Sequence, residues 1–265
     1  MFPYLRIFDK TIPTYGVAAV VGCLLAALWV KRGLRSRPCC EEADAELGFL
    51  FGLIGTWLGA KVFYLLTQLP NVMRDIARME LEQFLETYFY AGFVFYGGLY
   101  GCLLAVWIYA RTERVPFRAL CRCLLPAAPL IHAFGRLGCF ATGCCYGRPA
   151  KYAWSGIAFS RSEIAPNGVP LVPVQLWEAG IELLLFFGLS WHTRRSQNGI
   201  LSLGAYLACY GAARFFLEFL RGDDYRGFLG PLSVSQAISV ITVLAGVLLL
   251  LRERKRCPSA AKDAV

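Results

Sequence analysis

The chain carries seven long apolar runs, at roughly 12–30, 46–68, 91–110, 120–141, 173–191, 198–220 and 233–251. Each approaches the about 20 residues that an α-helix needs to cross the hydrocarbon core of a bilayer. In hydrocarbon every backbone amide must find its partner within the segment, so runs of this kind are helical. Charged residues make up only 17% of the sequence, against about 25% in soluble domains. The reading is an all-α polytopic membrane protein of seven transmembrane helices, one integral membrane domain over 1–265 without repeats or low-complexity tracts. The net charge of +9 does not indicate nucleic acid, because the basic residues sit in short loops between apolar runs. The first run is not a cleaved signal peptide: it starts too deep, lacks a basic leader and is followed by no small-residue cleavage site.

Loop charges orient the spans. One side collects Lys31, Arg32, Arg35 and Arg37; Arg111, Arg114, Arg118 and Arg122; Arg194 and Arg195; and a basic tail, 252–265, with Arg252, Arg254, Lys255, Arg256 and Lys262. The other side holds fewer, among them Arg6, Arg74, Arg148 and Arg226. The richer side is cytoplasmic by the positive-inside rule, which puts the N-terminus outside and the C-terminus inside. Segment 70–90 then falls outside, and its apolar and acidic mixture reads as an amphipathic helix on the outer surface. Loop 148–173, with Pro149, Pro166, Pro170 and Pro173 among aromatics, has the composition of a small periplasmic or extracellular cap.

Charges inside spans are costly, so each marks a candidate function. Lys61, Arg136, Arg214, Glu178, Glu182 and Glu218 lie within the apolar runs, and Arg221 just past the sixth. Arg214 and Glu218 stand i,i+4 and read as an ion pair on one helix. Arg136, between Gly135 and Gly138, and Arg221, opening "RGDD", sit at the outward ends of their spans. Glycine lets a ligand approach the backbone, and the guanidinium fork matches phosphate oxygens. Two converging arginines make a phospholipid headgroup site, to which Lys61 would add a third positive charge.

Several stretches, in order, resemble the prolipoprotein diacylglyceryl transferase family. They are "IPTYG" (12–16), "LGAKVFY" (58–64), "FVFYGGLYG" (93–101), "GRLGCFATGCCYG" (135–147), "VQLWE" (174–178) and "FFLEFLRGDD" (215–224) followed by "LSVSQAISV" (232–240). The resemblance implies a seven-span enzyme of the bacterial inner membrane, N-terminus outside, that needs no cofactor or metal. It would move the diacylglyceryl group of phosphatidylglycerol, or a related anionic phospholipid, to the lipobox cysteine of prolipoprotein substrates and release glycerol-1-phosphate. It further implies that Arg136 and Arg221 bind the phosphate and stabilise charge on the leaving group. Glu178 would order the polar network, while Tyr15, Lys61, Tyr64, Gly97, Gly98, Gly135, Gly138 and Gln175 would line the substrate cavity.

Three polar positions depart from the family pattern: its asparagine is Cys139, its glutamate Cys144 and its histidine Tyr96. A relay through Tyr96 and Glu178, a different acceptor and loss of activity all remain open. His132, one turn before Arg136, is either a base on the same face or a packed polar residue. Cys139, Cys144 and Cys145 read as structural thiols, as a Cys139–Cys144 or Cys139–Cys145 disulfide, or as nucleophilic or redox thiols. Metal binding carries least weight, because no histidine or C-x-x-C pair supports it. The remaining cysteines, Cys257 in the tail included, read as fillers or reduced thiols. Two further readings stand beside the family reaction: a paralogue that transfers a glyceryl or acyl group to another acceptor, and a membrane protein that binds phospholipid without chemistry.

Overall fold

The computed structural model describes residues 3–7, 10–36, 39–90, 92–222 and 228–256. Arg37, the acidic pair and Arg226 after Gly222, and the tail beyond Arg256 with Cys257 and Lys262 lie outside the described residues. The fold is dominated by helices, and a helix occupies each of the seven apolar runs. They are α1 (Thr14–Ser36), α2 (Glu42–Thr67), α5 (Phe95–Thr112), α6 and α7 (Phe117–Leu124 and Ala127–Thr142), α8 (Val174–Arg195), α9 (Gly199–Glu218) and α10 (Val234–Arg256). Four, α1, α2, α9 and α10, are long and apolar enough to cross a membrane, and α6 with α7, bent by 41°, would make a fifth. The other two fall short for reasons the sequence shows: α8 carries Glu178 and Glu182, and α5 is a short helix rich in glycine and tyrosine.

Burial is inverted relative to a soluble protein. Leu184, Phe187, Leu24 and Ile241 are well exposed, while Lys61, Arg136, Arg214, Glu178 and Glu182 are buried. An apolar exterior around a charged interior is what lipid as solvent selects, and it marks the chain as a membrane protein.

The chain divides into two compact units. In the first, residues 1–37 and 121–265, α1 packs on α7, α7 on α8, α8 on α9 and α9 on α10. A Cβ on Gly246 would meet the Ala208 nitrogen at 2.6 Å and the Gly204 oxygen at 2.7 Å, so α9 and α10 touch backbone to backbone, as small residues allow in membranes. The buried hydroxyls of Ser239 and Thr242 bond the Ser235 and Ile238 carbonyls one turn back at 2.8 and 2.7 Å. Asn198 caps α9, its Oδ1 accepting from the Ile200 and Leu201 amides.

Small strand pairs, unforeseen in the sequence, precede or join this unit's helices: β1 (Tyr4–Ile7) with β2 (Lys10–Pro13) before α1, β3 (Ile157–Ala158) with β4 (Pro170–Leu171) between α7 and α8, and β5 (Phe228–Leu229) with β6 (Leu232–Ser233) between α9 and α10. The stretch 148–173 folds around its own core of Phe159, Ala165 and Leu171, against which Phe140 and Tyr146 pack.

The second unit, residues 38–120, pairs α2 with α5. Their glycines interlock: a Cβ on Gly59 would lie 2.3 Å from the Gly97 oxygen, and one on Gly101 2.3 Å from the Gly55 oxygen. Between them the chain forms no single surface helix over 70–90. It makes α3 (Leu69–Asp75), α4 (Leu81–Leu85) and a π-helical turn at Glu86–Tyr90. The Arg78 and Met79 amides close onto the Asp75 carbonyl, and the Tyr88 hydroxyl donates to the Asp75 carboxylate at 2.6 Å.

Candidate active site

In the first unit, α7, α8 and α9 each send ionisable side chains into one buried network. His132 and Arg136 on α7, and Glu178 and Glu182 on α8, are both i,i+4 pairs, so each pair shares a helix face. Glu178, 1% exposed, receives Arg136 Nη2 at 3.0 Å and Arg214 Nε at 3.9 Å. The Tyr210 hydroxyl, from α9, lies 3.5 Å from the same oxygen. Arg214 also pairs with Glu218 at 2.6 Å, the ion pair its spacing predicts, and Glu218 accepts from the Ser233 hydroxyl at 3.0 Å.

His132 fills the space between the two acids. Arg136 Nε lies 3.1 Å from the ring Nε2, and the ring Nδ1 lies 2.6 Å from Glu182 Oε1. Both ring nitrogens are thus engaged, and the imidazole packs edge-on to Tyr210 at 5.5 Å. His132 therefore positions Arg136. Its contact with Glu182 and the role of Tyr210 were missed in the sequence. The paired i,i+4 spacings were the available signal for the first; nothing signalled the second.

Arg221 arrives by backbone pairing. It forms a β-bridge with Gly147, the Arg148 amide donates to the Leu220 carbonyl at 2.8 Å, and the Gly222 amide to the Tyr146 carbonyl at 3.1 Å. The approach requires glycine: a Cβ on Gly147 would lie 2.2 Å from the Val172 oxygen, and one on Gly222 2.8 Å from the Gly147 oxygen. The loop so held contains Cys144 and Cys145. Gly143 caps α7 in the left-handed region (φ 80°), and Cys145 adopts φ 57°, turning the chain back on the helix end. The Cys139, Cys144 and Cys145 sulfurs all lie within 4.8 Å of one another, as thiols rather than a disulfide. Hydrogen bonds from the Cys139 and Cys144 thiols hold Cys145 well below the usual thiol range, and the Arg221 and Arg136 guanidiniums act in the same direction.

Other expected residues gather here. Gln175, 1% exposed, donates to the Cys144 carbonyl at 2.9 Å. Its Oε1, with Glu178 Oε2, Glu182 Oε2 and Arg214 Nη1, is buried without a partner among the described residues. Gly138 lets α1 approach: its Cβ would lie 3.1 Å from Tyr15 Cα. A Cβ on Gly135 would meet open space.

The remaining expected residues belong to the second unit. Lys61 donates to the Tyr88 and Gly92 carbonyls at 3.2 and 3.0 Å, and its ammonium lies 4.3 Å from the Phe93 ring centre and 5.3 Å from that of Tyr64. Gly92, at φ 73°, leaves no room for a Cβ against the Tyr64 ring. Gly97 and Gly98 face α2, with Gly59, Phe63 and Thr56 where a Cβ would project. Tyr96 is buried beside Phe95 and Tyr100.

Helices with apolar exteriors around a buried arginine–glutamate–histidine network, beside an arginine-bearing loop, define a membrane protein with a charged interior. The family model for prolipoprotein diacylglyceryl transferase matches residues 4–252. The phosphatidylglycerol–prolipoprotein diacylglyceryl transferase of Clostridium tetani is 32% identical over 251 residues, 95% of this chain and 97% of its own. That of Clostridium perfringens numbered 2 is 33% identical over 245 residues, 92% of each chain. One from Idiomarina loihiensis is 29% identical, over 92% of this chain and 90% of its own. The chain belongs to the prolipoprotein diacylglyceryl transferase family and is a transferase.

Proposed function

We propose that the protein transfers the diacylglyceryl group of phosphatidylglycerol to a prolipoprotein cysteine thiol and releases glycerol-1-phosphate. The relatives' names supply the donor and the acceptor. The observation that carries the reading is the pinning of Arg136 by Glu178 and His132, beside a loop zipped to Arg221. Arg136 is fixed through Nε and Nη2, and on this reading Nη1 meets the phosphate.

On this reading the phosphate binds Arg136 and Arg221, and the guanidiniums take up the charge that grows on the leaving oxygen. Arg136 is held by its side chain and Arg221 by its backbone before the lipid arrives, which limits the reorganisation left for the moment of reaction. Gln175 and the backbone at Gly135 border the headgroup, and Gly138 seats Tyr15 nearby. The chain crosses the bacterial inner membrane seven times, N-terminus outside and basic tail inside, with 148–173 capping the site at the outer face.

The test is purified protein with phosphatidylglycerol labelled in its headgroup glycerol and a cysteine-bearing prolipoprotein peptide. Labelled glycerol phosphate appears in step with lipidated peptide, and neither appears with Arg136→Ala or Arg221→Ala at unchanged membrane insertion. Bound lipid without release refutes transfer, and release without lipidated peptide points to another acceptor.

A further inference from the structure

The three-thiol cluster is left unused by that account. Cys139 ends a turn of α7, and the left-handed turn through Gly143 and Cys145 carries two more sulfurs back to it. A non-glycine residue in that region costs about 1–2 kcal/mol, so the fold holds Cys145 there against strain. Three sulfurs mutually within 4.8 Å need only a small contraction: zinc–sulfur bonds of about 2.3 Å at tetrahedral angles place sulfurs about 3.8 Å apart. Among the described residues the cluster offers three ligands and no fourth, and two of the three residues are half-buried, which leaves the fourth position to a ligand from outside. Three protein ligands and one open position are the pattern of reactive rather than structural zinc.

We propose that Cys139, Cys144 and Cys145 bind zinc(II) as a tris-thiolate, and that its fourth position takes the acceptor cysteine thiol. The proposal rests on the transfer reading above and supplies its missing step, activation of the nucleophile. Coordination deprotonates a thiol outright, and the thiolate is the nucleophilic form. The acceptor's proton leaves to water as its sulfur binds zinc. That sulfur then bonds to the glyceryl carbon while the carbon–oxygen bond to phosphate breaks. The electron pair departs on the phosphate, held by Arg136 and Arg221, and the thioether, a weak ligand, leaves the metal. Zinc is redox-inert, so no oxidant or reductant enters. The two arginines also offset the negative charge of the thiolates. The departures from the family pattern at 139 and 144 become two of three ligands of one device.

The experiment uses the full chain in lipid nanodiscs, purified without chelator. Elemental analysis is expected to find one zinc per chain, lost in Cys144→Ser and in Cys139→Ser. Cobalt(II) in place of zinc gives a thiolate charge-transfer band. A cysteine-bearing prolipoprotein peptide raises that band by roughly a third, as four sulfurs replace three; the same peptide with serine leaves it unchanged. The peptide-dependent change is read on the unaltered chain, so it stands whether or not a variant folds. A disulfide within the cluster, substoichiometric metal, copper(I) binding without peptide uptake, or full transfer by metal-free protein overturns the proposal. Transfer by metal-free protein would leave the reaction standing. Zinc and peptide uptake with no glycerol phosphate released would leave the site standing and refute the reaction.

Discussion

Glu178→Gln tests the network with the smallest change of shape. The substitution removes a charge that lies 3.0 Å from Arg136 and 3.9 Å from Arg214. At an effective dielectric constant of about 20 those separations correspond to roughly 5 and 4 kcal/mol of gross attraction. Glutamine forfeits that attraction but also avoids several kcal/mol of carboxylate desolvation, and breaking a buried pair from one side costs about 3–5 kcal/mol net. The amide oxygen still accepts from Arg136, which favours the lower end, about 3 kcal/mol. At about 2–4 °C per kcal/mol for a chain of this size, the melting temperature falls by about 6–12 °C. Tryptophan fluorescence of detergent-solubilised protein reads it. Arg214→Gln on top of Glu178→Gln should cost less than Arg214→Gln alone, with a coupling of about 1–3 kcal/mol. Headgroup release should fall about 100-fold, as for loss of one preorganised donor, because Arg136 is no longer fixed. A melting temperature within about 2 °C of the parent, or strict additivity of the two substitutions, refutes the claim that Glu178 organises both arginines.

Three further outcomes probe the scaffold. Hydrogen bonding to Asp75 raises the Tyr88 hydroxyl to about 12, so the stability it contributes is complete below the ordinary tyrosine value of about 10. That stability is lost as pH climbs toward 12; Tyr88→Phe should abolish this alkaline step in a melting series, and a step that survives assigns it elsewhere. Gly97→Val drives a side chain into the Gly59 carbonyl and Phe63, each 2.4 Å from the new Cβ, and should destabilise by about 1–3 kcal/mol or more. Gly33→Ala, with nothing within 4 Å, should be neutral or stabilising by about 0.5–1 kcal/mol, and equal effects of the two would refute the packing argument. Asn198→Ala removes the α9 cap and the 2.8 Å bond to Glu253, and should cost about 1 kcal/mol, read as a lowered unfolding midpoint.

The apolar runs were legible because lipid imposes length and composition on any helix that crosses it, and a helix lies in each. The Arg214–Glu218 pair was legible because its spacing is local. The hairpins were not, since strands of two to four residues have no period to read. The break within 70–90 comes with local turn bonds to the Asp75 carbonyl and a Tyr88–Asp75 contact, the latter thirteen positions apart and invisible to any helical template. The resemblance put Gly97 and Gly98 in the substrate cavity, and the space where a Cβ would project from them holds α2. A glycine in a span answers equally to a neighbouring helix and to a substrate, and only coordinates tell the two apart. Lys61 shows the converse: an intramembrane charge that serves two backbone carbonyls.

The thiols at 139 and 144 follow from where the polar network draws its acids. Both carboxylates that fix Arg136, directly through Glu178 and by way of His132 through Glu182, come from α8. The end of α7 and the loop after it therefore owe nothing to the fixing of Arg136 through side chains of their own. Their constraints are backbone ones: a left-handed residue at 143, close approach at Gly147, and the pairing of 146–148 with 220–222. Positions 139 and 144 were thus open to any small side chain that fits a buried helix end and a half-buried turn. Cysteine fits both, and three of them, already gathered beside two guanidiniums, offer soft sulfur ligands that asparagine and glutamate cannot. If the gathering were incidental, Cys139→Ala, Cys144→Ala and Cys145→Ala would each leave transfer at the parental rate while Arg221→Ala abolished it. A shared loss across all three, with melting temperatures unchanged, would show the sulfurs acting as one group.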